Sequence, residues 1–243
     1  MNAQVKLLHE DYGVIVAADV TTIDKLQSLA EISAHVEEVV GIKVGFSLAL
    51  RYGLPSLVKA IRDKCSLPVI YDHQKAGTDI PQMGKALADC CVEAGIIGVI
   101  IFPQAGPKTL ESFVGAIFER DMVPIVGLVM THPAYLVSEG GFIADDAPKR
   151  ICEIALENGV RHFVLPGTKT ELVSEYVAGP LLKEKPCKIL MPGIGSQGGE
   201  IARAFSAAKG HHCFAIIGSA IYGASDPLKA AENFASEIRE AAL

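Results

Sequence analysis

Short, nearly continuous apolar runs alternate with longer amphipathic stretches along the whole chain. The runs, such as VIVAAD and GVIIF, are rich in Val, Ile and Leu, which is typical of strands buried on both faces of a parallel sheet. The stretches between them, such as residues 23–40, carry apolar residues at helical spacing. The pattern predicts about eight helices in strict alternation with eight strands, at residues 14–19, 41–46, 68–72, 98–102, 123–130, 162–167, 188–193 and 214–218.

This alternation favours an α/β fold, a single (β/α)8 TIM barrel over residues 1–243, because eight strands can close without leaving an edge strand. A doubly wound open sheet is the alternative, but it usually has about five or six strands and a G-x-G-x-x-G turn after the first. Here the first strand leads into ADVTTIDK, which has no glycine. In such barrels the reacting groups lie at the carboxyl ends of the strands, so we look for chemistry there.

Composition narrows the classes of function. Half of the 243 residues are hydrophobic, 21% are charged and the formal net charge is −6, which describes a globular protein. The mildly acidic balance argues against nucleic acid or a membrane surface as a partner. The six cysteines form no C-x-x-C pair, so we expect reduced thiols. With no signal pattern and no apolar run of about 18 residues, a cytoplasmic location is expected.

Alternating acidic and basic residues cluster at the ends of the second and third strands. Lys43 lies inside the apolar run GIKVGF, where an ammonium is costly unless it is paired or reaches a solvated cavity. It could instead extend from the barrel rim into water. Asp72, Lys75 and Asp79 lie at the end of the third strand and in the segment that follows it. Carboxylates and ammoniums that pack together stabilise each other's charged forms. In such a cluster, one carboxylate can lie against a negative group of the substrate. An ammonium can then donate a proton to the carbanion that is left behind. For His73 we expect a packing or hydrogen-bonding role.

Two glycine-rich turns follow the last two strands. The segment MPGIGSQGGE at 191–200 frees the backbone to present several N–H groups at the start of a helix, and a phosphate suits that position. The eighth strand ends in IIGSAIYGASDP, and loops 7 and 8 are where such barrels commonly hold phosphate. A merely structural role for these glycines is the alternative. The pair of turns predicts a phosphorylated small-molecule ligand.

The residues taken together resemble the orotidine 5′-phosphate decarboxylase family. The resemblance extends over essentially the whole chain, with its motifs in the same order and at similar spacing. It is carried by IKVGF with Lys43, the Asp/Lys/Asp-Ile-Pro segment of the third strand, MTHP at 130–133, PGIGSQGG at 192–199 and GSAIY at 218–222.

The resemblance implies a homodimeric decarboxylase that converts orotidine 5′-phosphate to UMP and CO₂, the last step of UMP synthesis, without a metal ion or other cofactor. It implies that Lys43 and Asp72 belong to a charged network, with Asp72 near the orotate carboxylate. Lys75 would protonate C6, and Asp79 would reach across the dimer interface into the partner's site. The remaining contacts implied are Asp19 at the ribose, Thr131 in place of the usual serine at the pyrimidine, Gln197 with the backbone amides of Gly198 and Gly199 at the phosphate, and Ile80, Pro192, Gly218 and Ser219 around the substrate.

This chain departs from the family pattern in two places. The family carries Asp-x-Lys-x-x-Asp-Ile, whereas residues 72–80 read D-x-x-K-x-x-x-D-I, with one extra residue in each gap. A bulge at Gly77 can absorb one of them. The strand-8 turn normally reads Gly-Arg-Ser-Ile-Tyr, but here it reads GSAIY, so the bidentate arginine at the phosphate is missing. Lys169, after the sixth strand, is a candidate replacement cation.

Two other functions remain open from the sequence. Magnesium-dependent sugar-phosphate decarboxylases and aldolases share the scaffold, but they typically carry a glutamate ligand at the position of Lys43, and a lysine repels Mg²⁺. A non-catalytic barrel that binds a nucleotide phosphate is the second alternative. The cost of retaining all four charged residues argues against an inert binder.

Overall fold

The computed structural model describes residues 7–73, 79–179, 186–195 and 200–242. Eight parallel strands close into a barrel in chain order, with β8 paired to β1. The predicted (β/α)8 fold is therefore confirmed. The strands are β1 (Tyr12–Ala17), β2 (Val39–Gly45), β3 (Val69–Asp72), β4 (Gly98–Ile101), β5 (Val123–Gly127), β6 (His162–Val164), β7 (Lys188–Pro192) and β8 (His212–Ile217).

Helices cover the outside of the barrel. Both β2 and β8 are followed by two helices rather than the single helix of a strict repeat. Between the two that follow β2, Gly53 has a φ of 75° and Pro55 lies in the first turn of the next helix, which separates the two helices. Within the described ranges the helices are α1 (Ile23–Ser33), α2 (Phe46–Tyr52), α3 (Leu54–Arg62), α4 (Met83–Glu93), α5 (Pro107–Phe118), α6 (Ala147–Glu157), α7 (Thr170–Ala178), α8 (Glu200–Ala207), α9 (Ser219–Tyr222) and α10 (Pro227–Ala242).

Helix α1 is shorter than the amphipathic stretch 23–40 suggested. It begins after Thr22, whose hydroxyl accepts a hydrogen bond from the backbone N–H of Lys25. It ends at Ser33, and Val39 already belongs to β2. Val39 and Val40, the apolar residues at the end of the stretch, fit the helical spacing only by coincidence. They are buried as the first residues of β2.

The amino-terminal end of the barrel is filled. Leu7 and Leu8 are buried in the same interior cluster as Ile15, Ile70 and other inward-facing strand residues. A Cβ at Gly98, the first residue of β4, would lie 2.7 Å from Leu7 Cδ2, so the absence of a side chain at Gly98 leaves space for Leu7. These leucines close the barrel interior at this end, and a cavity opens at the opposite, carboxyl end of the strands.

Four of the six cysteines, Cys91, Cys152, Cys187 and Cys213, are buried, and all six are free thiols. Burial raises the pKa of the Cys91 and Cys152 thiols to about 12, which makes them unreactive at neutral pH. None of the helices in the part of the chain that the structure describes is both long and apolar enough to cross a membrane.

Candidate active site

A cavity of about 540 Å³ opens at the carboxyl end of the barrel. That volume is in the range of small-molecule sites. Its walls come from both sides of the barrel, so residues distant in sequence meet there. They include seven of the residues singled out by sequence: Asp19, Lys43, Asp72, Thr131, Pro192, Gly218 and Ser219.

A buried ion pair forms the charged side of this cavity. The Nζ atom of Lys43 lies 2.8 Å from Oδ2 of Asp72, and each side chain is only 8% exposed. Lys43 lies in β2 and Asp72 is the last residue of β3, and the parallel register places Asp72 opposite Gly45. Both side chains face inward at neighbouring strand ends, which confirms that Lys43 is paired within the barrel mouth rather than extended into water at the rim.

A second carboxylate holds the same ammonium. Oδ1 of Asp19 lies 3.5 Å from Lys43 Nζ, and Asp19 is half-exposed at the cavity edge. Burial acts to lower the pKa of Lys43, but attraction to Asp72 and Asp19 outweighs it and raises the pKa above its ordinary value. The ammonium of Lys43 therefore stays charged between the two carboxylates.

The second oxygen of Asp72 is under-satisfied. Its Oδ1 atom is buried and has no hydrogen-bond partner among the residues that the structure describes, in contrast to Oδ2, which contacts Lys43. Asp72 is in register with Ile100 of β4, and Phe102, Val164 and Ile216 line the same cavity. An apolar wall lowers the local dielectric and strengthens every electrostatic interaction at this oxygen. Since Asp72 lines the cavity, the site places a carboxylate group beside whatever binds there.

The loop that carries Asp19 is fixed by helix α2. Arg51 donates a hydrogen bond of 2.8 Å to the carbonyl oxygen of Thr21, and the Tyr52 hydroxyl donates a second one of 3.3 Å. Gly45 also matters, because a Cβ there would lie 2.9 Å from Oδ1 of Asp19. Sequence reasoning missed Arg51 and Tyr52, since the contact joins them to a residue about thirty positions earlier and no motif marks it.

The glycine turn after β7 forms the opposite wall. Gly193 and Gly195 have φ values of 89° and 124°, which favour glycine. A Cβ at Gly193 would contact the Thr131 methyl at 3.4 Å, so this turn lies against the loop that follows β5. The Gly195 N–H donates a 3.0 Å hydrogen bond to Oε2 of Glu200, the first residue of α8. Glu200 was not predicted, and it holds the described part of this turn in place.

A sequence profile described as "Orotidine 5′-phosphate decarboxylase / HUMPS family" matches residues 13–234. The chain belongs to this family. Orotidine 5′-phosphate decarboxylase of Pyrococcus abyssi is 33% identical over 228 residues, which cover 93% of this chain and 99% of that protein. The crystal structure of the Pyrococcus horikoshii OT3 decarboxylase matches with a TM-score of 0.77 at 29% identity, over 93% of this chain and 99% of that one. The Methanocaldococcus jannaschii structure complexed with inhibitor BMP has a TM-score of 0.79 at 24% identity, covers 93% and 98%, and supports the fold alone.

Two of the residues predicted from the orotidine 5′-phosphate decarboxylase motifs lie outside the cavity of their own chain. Asp79 is exposed, and its Oδ1 accepts a 2.7 Å hydrogen bond from the backbone N–H of Ile80. The Thr109 hydroxyl donates a 2.9 Å hydrogen bond to the Asp79 carbonyl oxygen, which anchors the segment on α5. The side chain of Ile80 is exposed beside it.

Four other predicted residues of the decarboxylase motifs, Lys75, Gln197, Gly198 and Gly199, lie outside the described residues. The predicted bulge at Gly77 lies outside them too. His73 borders this segment, and its Nδ1 is hydrogen-bonded to the Tyr71 hydroxyl, as expected for a hydrogen-bonding role.

Lys169, the candidate replacement for the family's arginine, is engaged elsewhere. Its Nζ lies 2.7 Å from Oε1 of Glu139, and this pairing lowers the pKa of the Glu139 carboxyl. The other oxygen of Glu139 accepts a hydrogen bond from the Tyr135 backbone N–H. Lys169 therefore ties the loop after β6 to the loop that carries Thr131, and it is absent from the described cavity lining.

Proposed function

We propose that this chain is an orotidine 5′-phosphate decarboxylase, a carboxy-lyase that forms UMP and CO₂ in the cavity at the carboxyl end of the barrel. The observation that carries the proposal is the buried contact of Lys43 with Asp72 beside an apolar wall, in a chain of the orotidine 5′-phosphate decarboxylase / HUMPS family. The ligand is a nucleoside 5′-monophosphate, and the reaction belongs to UMP biosynthesis.

The geometry gives the charged pair a specific chemical role. Asp72 lines the cavity, so a substrate carboxylate held beside it is repelled by it, and the repulsion ends when neutral CO₂ departs. Two unit charges about 4 Å apart at an effective dielectric of about 20 interact by about 4 kcal/mol, which corresponds to about three powers of ten in rate. The ammonium of Lys43 holds the Asp72 carboxylate in place at 2.8 Å, on the charged side of the cavity.

The same geometry disfavours the magnesium-dependent branch. The ammonium of Lys43 lies between the carboxylates of Asp19 and Asp72, at 3.5 Å and 2.8 Å. A divalent cation bound by those two carboxylates would have to share that space with a positive charge, which is electrostatically unfavourable.

The proton donor and the phosphate contacts are part of the proposal. We assign protonation of C6 to Lys75, and the phosphate to Gln197 with the amides of Gly198 and Gly199, on the strength of the family motifs. Pro192, Gly218 and Ser219 line the described cavity on the side of the two glycine turns, which supports a phosphate there. We place the ribose near Asp19 and the pyrimidine near Thr131.

The homodimer and the crossing of Asp79 are also proposed. Phe46, Leu50 and Ile80 are apolar side chains that are 59%, 79% and 60% exposed, and we propose that they form one apolar patch at the interface. A space of about 680 Å³ lined by Phe46 and Leu50 is also lined by Lys43 and Asp72, so the patch borders the charged pair directly. Burying this patch between two chains would bring the partner's Ile80 and Asp79 towards the cavity. The cytoplasmic location and a single catalytic domain over residues 1–243 stay predictions.

A charge in the apolar patch should separate the two chains. We expect Leu50→Glu to weaken dimer association by about 2 kcal/mol or more, the size of a hot-spot loss, and to lower turnover with it. Sedimentation of the purified variant measures the first effect. Phe142→Glu is the matched control, because Phe142 is fully exposed on the loop after β5 and should leave the dimer intact. A Leu50→Glu protein that remains dimeric would contradict this interface.

Product analysis tests the function itself. We expect the purified chain to convert orotidine 5′-phosphate to equal amounts of UMP and CO₂, as followed by chromatography and CO₂ release. Tight UMP binding without either product would instead indicate the non-catalytic barrel.

A further inference from the structure

An aromatic ring occupies the position where a side chain of the neighbouring strand would normally lie. Phe102 directly follows β4, and like Ile100 it belongs to the interior cluster of the barrel. Gly127 is the last residue of β5, two positions after the inward-facing Ile125. Because side chains alternate along a strand, position 127 also faces inward. Phe102 and Gly127 therefore meet inside the barrel mouth.

The contact between them leaves no room for a larger residue. A Cβ atom on Gly127 would overlap Cζ, Cε1 and Cε2 of Phe102, far inside the 3.0 Å that real Cβ atoms keep from other atoms. These three atoms are the distal edge of the ring. The ring thus packs directly against the Gly127 backbone and occupies the space that the Cβ atom of any other residue would fill.

The ring of Phe102 lies between a packed layer of the barrel interior and the cavity. Ile100 and Ile125 fill the layer beneath it and are buried, so the interior there is close-packed. Phe102 itself lines the 540 Å³ cavity, which is the open space beside the ring. A side chain at position 127 would therefore move the ring into the cavity.

The ring of Phe102 lies near the place where we expect the pyrimidine base of the ligand. Asp72 is in register with Ile100, two residues before Phe102, and Thr131 follows Gly127 by four residues. The ring thus lies between the strand of Asp72 and the loop of Thr131, on the wall that faces a ligand held by both. We propose that Phe102, seated on Gly127, is a specificity-determining residue that sets how deep a base can enter the cavity. This inference rests on the proposed function, since it takes the ligand to be a pyrimidine nucleotide.

The test is a pair of compensating substitutions with UMP binding measured by calorimetry. Gly127→Ala should weaken UMP binding about tenfold or more, because overpacking moves the ring into the ligand's space. Adding Phe102→Leu should restore most of the affinity, since leucine lacks the three overlapping atoms. Gly115→Ala is the matched control, because a Cβ at Gly115 in α5 meets nothing within 4 Å.

Several results separate this inference from the function and from simple misfolding. Thermal unfolding of each variant shows whether it is folded, and Phe102→Leu with and without Gly127→Ala should bind UMP equally. Unchanged UMP affinity in folded Gly127→Ala, or a double variant that recovers none, would overturn the inference. If the wild type binds no UMP, the proposed function is wrong, and a crystal structure of Gly127→Ala then decides: the ring enters the cavity, or it stays and the inference fails.

Discussion

Replacing Asp72 with asparagine is expected to lower the rate of decarboxylation by about three powers of ten. The estimate is the loss of about 4 kcal/mol of repulsion between two charges about 4 Å apart at an effective dielectric of about 20. The asparagine oxygen can still accept the hydrogen bond of Lys43, whose ammonium keeps Asp19 at 3.5 Å, so the variant should fold. Single-turnover kinetics with saturating orotidine 5′-phosphate measure the effect on the chemical step.

The matched control for this substitution is Asp63→Asn. Asp63 is also paired with a lysine, Lys59, at 3.1 Å, but both side chains are exposed on α3 and its end. An exposed ion pair contributes little to stability, and this one takes no part in the proposed reaction, so turnover should not change. If Asp72→Asn kept a tenth or more of the wild-type rate, the electrostatic role of Asp72 would have to be abandoned.

Lys75→Ala is expected to abolish detectable decarboxylation while UMP binding stays largely intact. The reason is that the carbanion left by CO₂ needs a proton donor, whereas the product carries its proton already. Turnover and UMP calorimetry on the same preparation separate the two effects. Near-normal turnover would remove Lys75 from the mechanism.

The same variant tests the proposed crossing of Asp79. Chains carrying Lys75→Ala and chains carrying Asp79→Ala should each be inactive alone. In a hybrid dimer, one site combines the intact Lys75 of one chain with the intact Asp79 of the other, so one functional site per hybrid is expected. Mixed dimers that form and yet recover no activity would show that Asp79 acts within its own chain or not at all.

Much of the fold was predictable because the strands are continuous apolar runs. Such a run indicates a strand buried on both faces, whichever elements pack against it. Prediction was weakest at the ends of elements. The run 123–130 predicted a longer strand, but β5 ends at Gly127, since its ladder with β6 includes only the pairs of Val126 and Gly127. An apolar run marks burial, whereas a strand end depends on where the neighbouring strand stops.

The charged pair was predictable for a related reason. A lysine inside a buried strand needs a carboxylate nearby, and Asp72 ends the next strand, so topology alone brings them together. The contacts of Glu200, and the seat of Phe102 on Gly127, were not predictable, because they depend on side-chain directions in three dimensions. Lys169 shows the same limit, since its partner Glu139 lies thirty residues earlier on another loop.

Turnover of orotidine 5′-phosphate after exhaustive treatment with EDTA distinguishes a decarboxylase that needs no metal ion from a metal-dependent enzyme. We expect UMP formation at the untreated rate, with no change on adding Mg²⁺, because the chemistry depends on Asp72 and Lys43 in an apolar pocket. Loss of turnover with EDTA and recovery with Mg²⁺ would contradict it and indicate the metal-dependent branch of the same fold.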